Sequence, residues 1–270
     1  MSQHLVIAGA GQAAAQLIQS SRQLGYEGRI TLVAEEAYLP YQRPPLSKKY
    51  LAGDFERSRL FLKPEAFYEE RDVEILSGRR VVELDAEART ARLDDDAKLD
   101  WDYLAIATGA TPRALDIPGS ELDGVHYLRS IADVDAIRAS LESSPRVVIV
   151  GAGYIGLEVA SSCVALGCEV TVLEAAPRIL GRVVSDTTAE FFAGLHQANG
   201  VGIQCSAAIE RFDGSDKVTG VVMADGTVYP CECVVIGIGV TPNIQLAERF
   251  AHALVRKPID TLDIRAWQEY

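Results

Sequence analysis

The feature that most constrains this chain is a five-part pattern that occurs twice: an apolar run, a glycine turn, a helix-forming stretch, a second apolar run and a closing glutamate. The first copy reads His4-Leu5-Val6-Ile7-Ala8, then Gly9-Ala10-Gly11-Gln12-Ala13-Ala14, then Ile30-Thr31-Leu32-Val33-Ala34 and Glu35. The second reads Arg146-Val147-Val148-Ile149-Val150, then Gly151-Ala152-Gly153-Tyr154-Ile155-Gly156, then Val170-Thr171-Val172-Leu173 and Glu174. Each apolar run is too short for a helix and too continuous for a half-solvated strand, so both predict buried parallel strands. Each acid falls about twenty residues past the last small residue of its turn, the distance at which a strand end meets a ribose hydroxyl. Two such βαβ units predict two bound dinucleotides, with electrons passing between them.

The chain has 270 residues, which exceeds the usual size of one hydrophobic core and predicts two domains. The alternating pattern predicts an α/β fold built from two Rossmann-like dinucleotide-binding domains. The first would be discontinuous, residues 1–112 plus 237–270, and the second would be 113–236. Within the first, the segment from Glu36 to Lys63 is rich in Pro, Tyr and Arg and reads as a functional loop with a short helix at Ser47 to Leu51. Pro64 to Arg71 reads as helical, with Pro in the first turn. Val73 to Leu99 reads as a small antiparallel excursion, and three strands near 208–212, 217–223 and 228–230 as another. The run Cys233-Val234-Val235-Ile236-Gly237-Ile238-Gly239 reads as a buried strand that ends in a glycine turn and returns the chain toward the first domain.

Charge and cysteine usage narrow the function classes. A formal charge of −12 argues against nucleic acid as a partner, since phosphate binding needs a basic surface. The local basic clusters at Arg57, Arg59 and Lys63 and at Arg79 and Arg80 read as solvated loop charges. No apolar run reaches the ~18 residues that span a bilayer, and Met1-Ser2-Gln3-His4 leads straight into a strand, so neither membrane insertion nor export is expected. A cytoplasmic location and reduced thiols follow for the five cysteines. Cys163 and Cys168 form a C-x4-C, but Cys163 falls on the helix after the second turn and Cys168 at the start of the following strand, where a small core residue and a small strand-start residue are simpler readings than a redox disulfide. Cys231 and Cys233 alternate in a strand with no second pair at zinc-site spacing, so no metal site is expected.

Three further strings carry a family resemblance. They are Leu39-Pro40-Tyr41-Gln42-Arg43-Pro44-Pro45-Leu46-Ser47-Lys48, Ala107-Thr108-Gly109-Ala110-Thr111-Pro112-Arg113, and Gly151 to Glu158. Together they resemble the ferredoxin reductase family of FAD-dependent pyridine nucleotide oxidoreductases, glutathione-reductase-like flavoproteins that include putidaredoxin, rubredoxin and aromatic-ring dioxygenase reductases. The resemblance runs from about residue 4 to residue 247. It implies that Gly9, Gly11 and Ala14 approach the FAD pyrophosphate, that Glu35 accepts from the adenosine ribose, and that Arg43 contacts the FAD phosphates. It also implies that Lys48 lies beside the flavin, with Thr108, Gly109, Arg113 and Gly239 near the cofactor. Gly151, Gly153 and Gly156 would cradle the NAD pyrophosphate, and Glu158 would reach the nicotinamide and pair with Lys48.

Glu174 would accept from both ribose hydroxyls and repel a 2′-phosphate, which favours NADH, although Arg178 and Arg182 lie nearby. The implied reaction carries electrons from NADH through FAD to a ferredoxin or rubredoxin-like protein serving an oxygenase in aromatic hydrocarbon catabolism. Lys48 and Glu158 are the groups expected at the reacting centre. The resemblance also implies a Gly-Asp strand end and a C-terminal interface domain, and neither follows Gly239 here. Loss of one charge-assisted hydrogen bond to the flavin would cost ~1.5–3 kcal/mol, so the chain is expected to bind NADH better than it holds FAD. Two alternatives stand beside the reductase: a dinucleotide-binding remnant without activity, and an NADH oxidase or quinone reductase.

Overall fold

A computed structural model describes residues 3–142 and 146–255, so residues 256–270, past the end of the resemblance near residue 247, lie outside the described residues. The described residues divide into two compact units. One takes the residues up to Gln42, Phe61–Gly109 and those from Pro242 onward; the other takes Arg43–Leu60 and Ala110–Thr241.

In the first unit the chain runs β1 (His4–Ala8), α1 (Gln12–Gln23), β2 (Arg29–Ala34), α2 (Glu65–Glu69) and β3 (Val73–Ser77), then β4 (Val81–Asp85), β5 (Thr90–Leu93), β6 (Lys98–Asp100) and β7 (Tyr103–Ile106). Strands β3, β2, β1 and β7 pair side by side in parallel, with Leu5 opposite Ile30 and Tyr103. Alternate residues of β1 face opposite ways. Leu5 and Ile7 join Ala14 and Ile18 of α1 and Tyr68 of α2, whereas Val6 and Ala8 pack with Val81, Ala91 and Leu93 of the antiparallel sheet β4–β5–β6. That two-sided burial explains why the run is apolar throughout. It also corrects one expectation: Val73–Ser77 extends the parallel sheet beside β2, because Val73 is buried in the α1-side core, and only β4 to β6 are antiparallel.

The second unit repeats the plan. It contains β8 (Ala110–Pro112), β9 (Val125–Tyr127), α3 (Ile131–Leu141), β10 (Arg146–Val150), α4 (Tyr154–Ala165), β11 (Glu169–Glu174), α5 (Asp186–Ala198) and β12 (Val201–Cys205). Then come β13 (Ile209–Gly214), β14 (Val218–Met223), β15 (Val228–Pro230), β16 (Cys233–Ile236) and β17 (Val240–Pro242), and the chain re-enters the first unit through α6 (Gln245–Val255). The parallel sheet is ordered β12-β11-β10-β16-β9, and α4 packs on β10 and β11. Val148, Val150, Leu173, Val234 and Ile236 share a core with Phe212, Val221 and Met223 of the antiparallel sheet β13–β14–β15. Ser130 opens α3 with a capping box in which Asp133 answers its backbone N–H, supplying the donors and acceptors a helix start needs.

Two expected helices differ in detail. The stretch Ser47 to Leu51 is a run of hydrogen-bonded turns, closed by Lys48 and Tyr50 N–H groups that both donate to the Pro45 carbonyl. Pro64 is the N-cap of α2 and not part of its first turn. A larger difference concerns the segment 43–60, assigned from sequence to the first domain; it packs with the second unit.

Gly9 is required by the fold itself. It sits at φ +108°, and a Cβ there would lie 2.2 Å from the Ala107 carbonyl oxygen. We expect Gly9→Ala to lower stability by about 3 kcal/mol or more, the sum of left-handed strain and overpacking, read as a fall in the urea midpoint at constant slope.

Candidate functional site

Each parallel sheet ends at a glycine turn whose two glycines do different jobs. Gly9 and Gly151 lie at positive φ, and a Cβ at Gly151 would come within 2.7 Å of the Gly237 carbonyl oxygen. Gly11 and Gly153, the N-caps of α1 and α4, have extended backbones, and a Cβ at either would meet no protein atom within 4 Å. Neither backbone nor packing requires glycine at those two positions. No side chain caps either helix, and neither first turn carries an acid. The helix N-termini therefore present backbone N–H groups and the positive end of the dipole to open space, which fits a pyrophosphate. The third small position separates the turns: Ala14 is fully buried, whereas a Cβ at Gly156 would lie 2.0 Å from the Gly151 carbonyl oxygen, so α4 crosses its own turn more closely than Ala would allow.

The two glutamates at matching strand ends have unlike surroundings. The Glu174 carboxylate accepts from the Ala152 N–H at 2.6 Å and the Ala176 N–H at 2.8 Å, tying the end of β11 to the glycine turn. Glu35 is 70% exposed and only 3.7 Å from Arg80, a loose surface contact. Of the two arginines near Glu174, Arg178 is committed to Asp186 at 2.8 Å and to the carbonyls of Gly181 and Val184, while Arg182 is exposed.

In the second unit the proline-rich segment is anchored at three points. Lys48 Nζ donates to Glu158 Oε2 of α4 at 2.7 Å and to the Pro44 carbonyl at 3.1 Å. Ser47 Oγ donates to the same Glu158 oxygen at 2.6 Å. Farther along, Tyr50 and Arg57 both bond Asp135 of α3, at 2.9 and 2.7 Å, and desolvation raises the Tyr50 phenol above its ordinary pKa. Arg43 donates to the Arg129 carbonyl at 2.6 Å. Lys48 is 47% and Glu158 30% exposed, so solvent screens the ion pair and its value lies in alignment more than in stability.

Arg113 and Gly239 meet through a backbone bond of 3.0 Å from Arg113 N–H to the Gly239 carbonyl, where β8 and β17 pair. In the first unit, Thr108 and Gly109 are held by Asn243: Thr108 Oγ1 donates to the Asn243 carbonyl at 2.6 Å, the Asn243 amide donates back to the Thr108 carbonyl at 3.0 Å, and Asn243 N–H donates to the Gly109 carbonyl. Tyr50, Asp135, Ser162 and Asn243 escaped the sequence reading, Ser47 was read only as part of a string and a helix, and Arg57, read as a solvated loop charge, is instead paired with Asp135. Their partners lie on distant elements, and no short-range pattern marks them.

The cysteines take no visible part. Cys163 and Cys231 are buried, and burial pushes both thiols up to about 12, where the reactive thiolate is scarce at neutral pH. Cys163 and Cys168 are free thiols, and no group of His, Cys, Asp and Glu able to hold a metal occurs among the described residues. No helix among them is long and apolar enough to cross a membrane.

The geometry of two glycine turns at two sheet ends agrees with comparison to known proteins. The family model described as pyridine nucleotide-disulphide oxidoreductase matches residues 3–261. The chain belongs to that family. Within it, the chain is 39% identical over 257 residues to rhodocoxin reductase of Rhodococcus erythropolis, covering 95% of this chain and 59% of that protein. It is 42% identical over 241 residues to the ferredoxin–NAD(+) reductase component of the p-cumate 2,3-dioxygenase system of Pseudomonas putida, covering 89% and 59%. Among solved structures, the covalent putidaredoxin reductase–putidaredoxin complex superposes with a TM-score of 0.88 at 36% identity, covering 91% of this chain and 60% of that one. The chain thus spans about three-fifths of the length of these relatives. The ferredoxin reductase resemblance and the α/β fold with two dinucleotide-binding Rossmann-like units are both borne out.

Gly153→Ala separates ligand space from folding. Because the added methyl meets no protein atom, we expect an unchanged melting temperature and a roughly tenfold or greater loss of NADH affinity, measured by calorimetric titration beside a thermal melt.

Proposed function

We propose that this chain is the dinucleotide-binding part of an NADH-dependent flavoprotein reductase that delivers electrons to a ferredoxin-type or rubredoxin-like protein serving an oxygenase. The carrying observation is the convergence of Lys48 and Ser47 on Glu158, which brings the proline-rich segment of the ferredoxin reductase resemblance to the helix of the second glycine turn. The relatives' names support the partner class: one is the reductase component of a dioxygenase system, and another was solved joined to putidaredoxin.

In this reading, FAD and NAD are the cofactors. Gly9, Gly11, Ala14, Glu35, Thr108 and Gly109 of the first unit bind FAD, Gly9 by holding the turn and Gly11 by leaving the helix start open. In the second unit, Gly151, Gly153 and Gly156 hold the NAD pyrophosphate and Glu174 takes the ribose hydroxyls. Arg43, Arg113 and Gly239 lie with the cofactors, Lys48 serves the flavin, and Glu158 orients the nicotinamide carboxamide. The chemistry FAD supplies when bound is the conversion of a two-electron hydride into single electrons. The protein's share is orientation, since hydride transfer needs no protein acid. NADH is favoured over NADPH because two backbone donors fix the Glu174 carboxylate at the strand end, and Arg178, the nearby cation, is held by Asp186. A cytoplasmic setting suits free thiols at all five cysteines.

The test is anaerobic addition of NADH to the chain in the presence of FAD. Bleaching of the flavin's visible band, followed by faster reoxidation with a ferredoxin than with oxygen, is expected; faster reoxidation by oxygen or quinone would favour an oxidase or quinone reductase. Binding of NADH without FAD would favour a dinucleotide-binding remnant without reductase activity. Glu158→Gln, which weakens the hold of Lys48 and Ser47 on one oxygen, should slow flavin reduction by about 10- to 100-fold, measured by stopped flow.

A further inference from the structure

Three polar side chains are buried among the described residues, and two of them, Ser47 and Ser162, are linked in a chain of hydrogen bonds that ends on Glu158. Ser162 lies one helical turn beyond Glu158 on α4, so both side chains project from the same face. Its hydroxyl donates to the Ser47 carbonyl at 2.9 Å in a buried bond. Ser47 then turns its own hydroxyl to Glu158 Oε2, the oxygen that also accepts from Lys48. No hydrogen bond reaches Glu158 Oε1 from the described residues. Both donors therefore sit on one oxygen, which fixes the carboxylate's rotation and leaves the other oxygen for a ligand donor.

Lys48 alone is a poor device for this. Its ammonium is a point charge on a flexible four-carbon stem, nearly half exposed, and accepts many geometries. The two hydroxyls are directional, and they are less open to competing water than Lys48, the Ser162 bond being buried and the Ser47 bond part-buried. We propose that Ser162 and Ser47 form a relay of positioning residues: Ser162 pins the proline-rich turn to α4, and Ser47 sets the Glu158 rotamer so that Oε1 faces the amide donor of the nicotinamide. The proposal rests on the NADH reading above, which it deepens by naming what aims Glu158. The turn has an independent anchor, since Tyr50 and Arg57 both hold Asp135 of α3, so removal of the Ser162 hydroxyl leaves the segment attached.

The experiment is calorimetric titration of the parent chain, Ser162→Ala and Ser47→Ala with NADH and, separately, with ADP-ribose, which has the pyrophosphate and ribose but no nicotinamide. A thermal melt accompanies each variant. Expected is a weakening of NADH binding by about 5- to 10-fold in each variant, with ADP-ribose affinity unchanged within about twofold. With FAD bound, reduction at saturating NADH should fall by about tenfold in each variant, showing an orientation defect beyond binding. An unchanged NADH-to-ADP-ribose ratio would overturn the relay. So would a parallel loss of both ligands with a lowered melting temperature, which marks Ser162 and Ser47 as structural only. If the parent chain binds ADP-ribose and NADH equally, Glu158 makes no nicotinamide contact and the relay has nothing to aim. If the parent binds neither, the NADH reading itself fails, a result distinct from a failed relay.

Discussion

Both units depend on a close approach of main chain to main chain at the centre of a parallel sheet. Where β1 ends, Gly9 passes under the Ala107 carbonyl, and where β10 ends, Gly151 passes under the Gly237 carbonyl. A side chain at either position would collide with backbone, which cannot rotate away. Because the turns are this tight, the helices that follow start directly at the sheet end with their N–H groups outward. The parallel pairing of neighbouring strands, the burial of both faces of β1 and β10, and the placement of Glu174 against the turn all follow from that geometry.

The same plan, used twice, is elaborated differently. Ala14 fills space at the third small position of the first turn, while Gly156 is squeezed against Gly151. Glu174 is locked by two backbone donors, and Glu35 faces solvent. The second unit also carries the segment 43–60, which supplies Lys48 to Glu158 and Tyr50 and Arg57 to Asp135. In a family whose description includes disulphide chemistry, Cys163 and Cys231 of this chain lie in the core with thiols too weakly acidic to react readily.

Much of the fold was legible because it is written in local patterns. Strand periodicity located β1, β2, β10 and β11, glycine spacing located the turns, and the distance to Glu35 and Glu174 is what the dinucleotide proposal for them rests on. The reading failed where local signals were equivocal. Val73–Ser77 alternates like an antiparallel strand, yet it pairs in parallel with β2 because that places Val73 under α1 and α2. The Ser47 region has helix-like composition after two prolines, but the Lys48 and Tyr50 N–H groups both close on the Pro45 carbonyl and the segment forms turns.

By itself the sequence determined the class of fold, the two dinucleotide turns and the residue types at the site, since each depends on neighbours within one βαβ unit. Tertiary structure alone decided which unit the proline-rich segment joins and that Ser47, Lys48 and Ser162 meet around Glu158. It also decided that Arg178 is turned into its own loop by Asp186. Most of these contacts join residues far apart in the chain. Their formation depends on how packed elements fill space and satisfy buried hydroxyls and carbonyls, a condition no short stretch of sequence encodes.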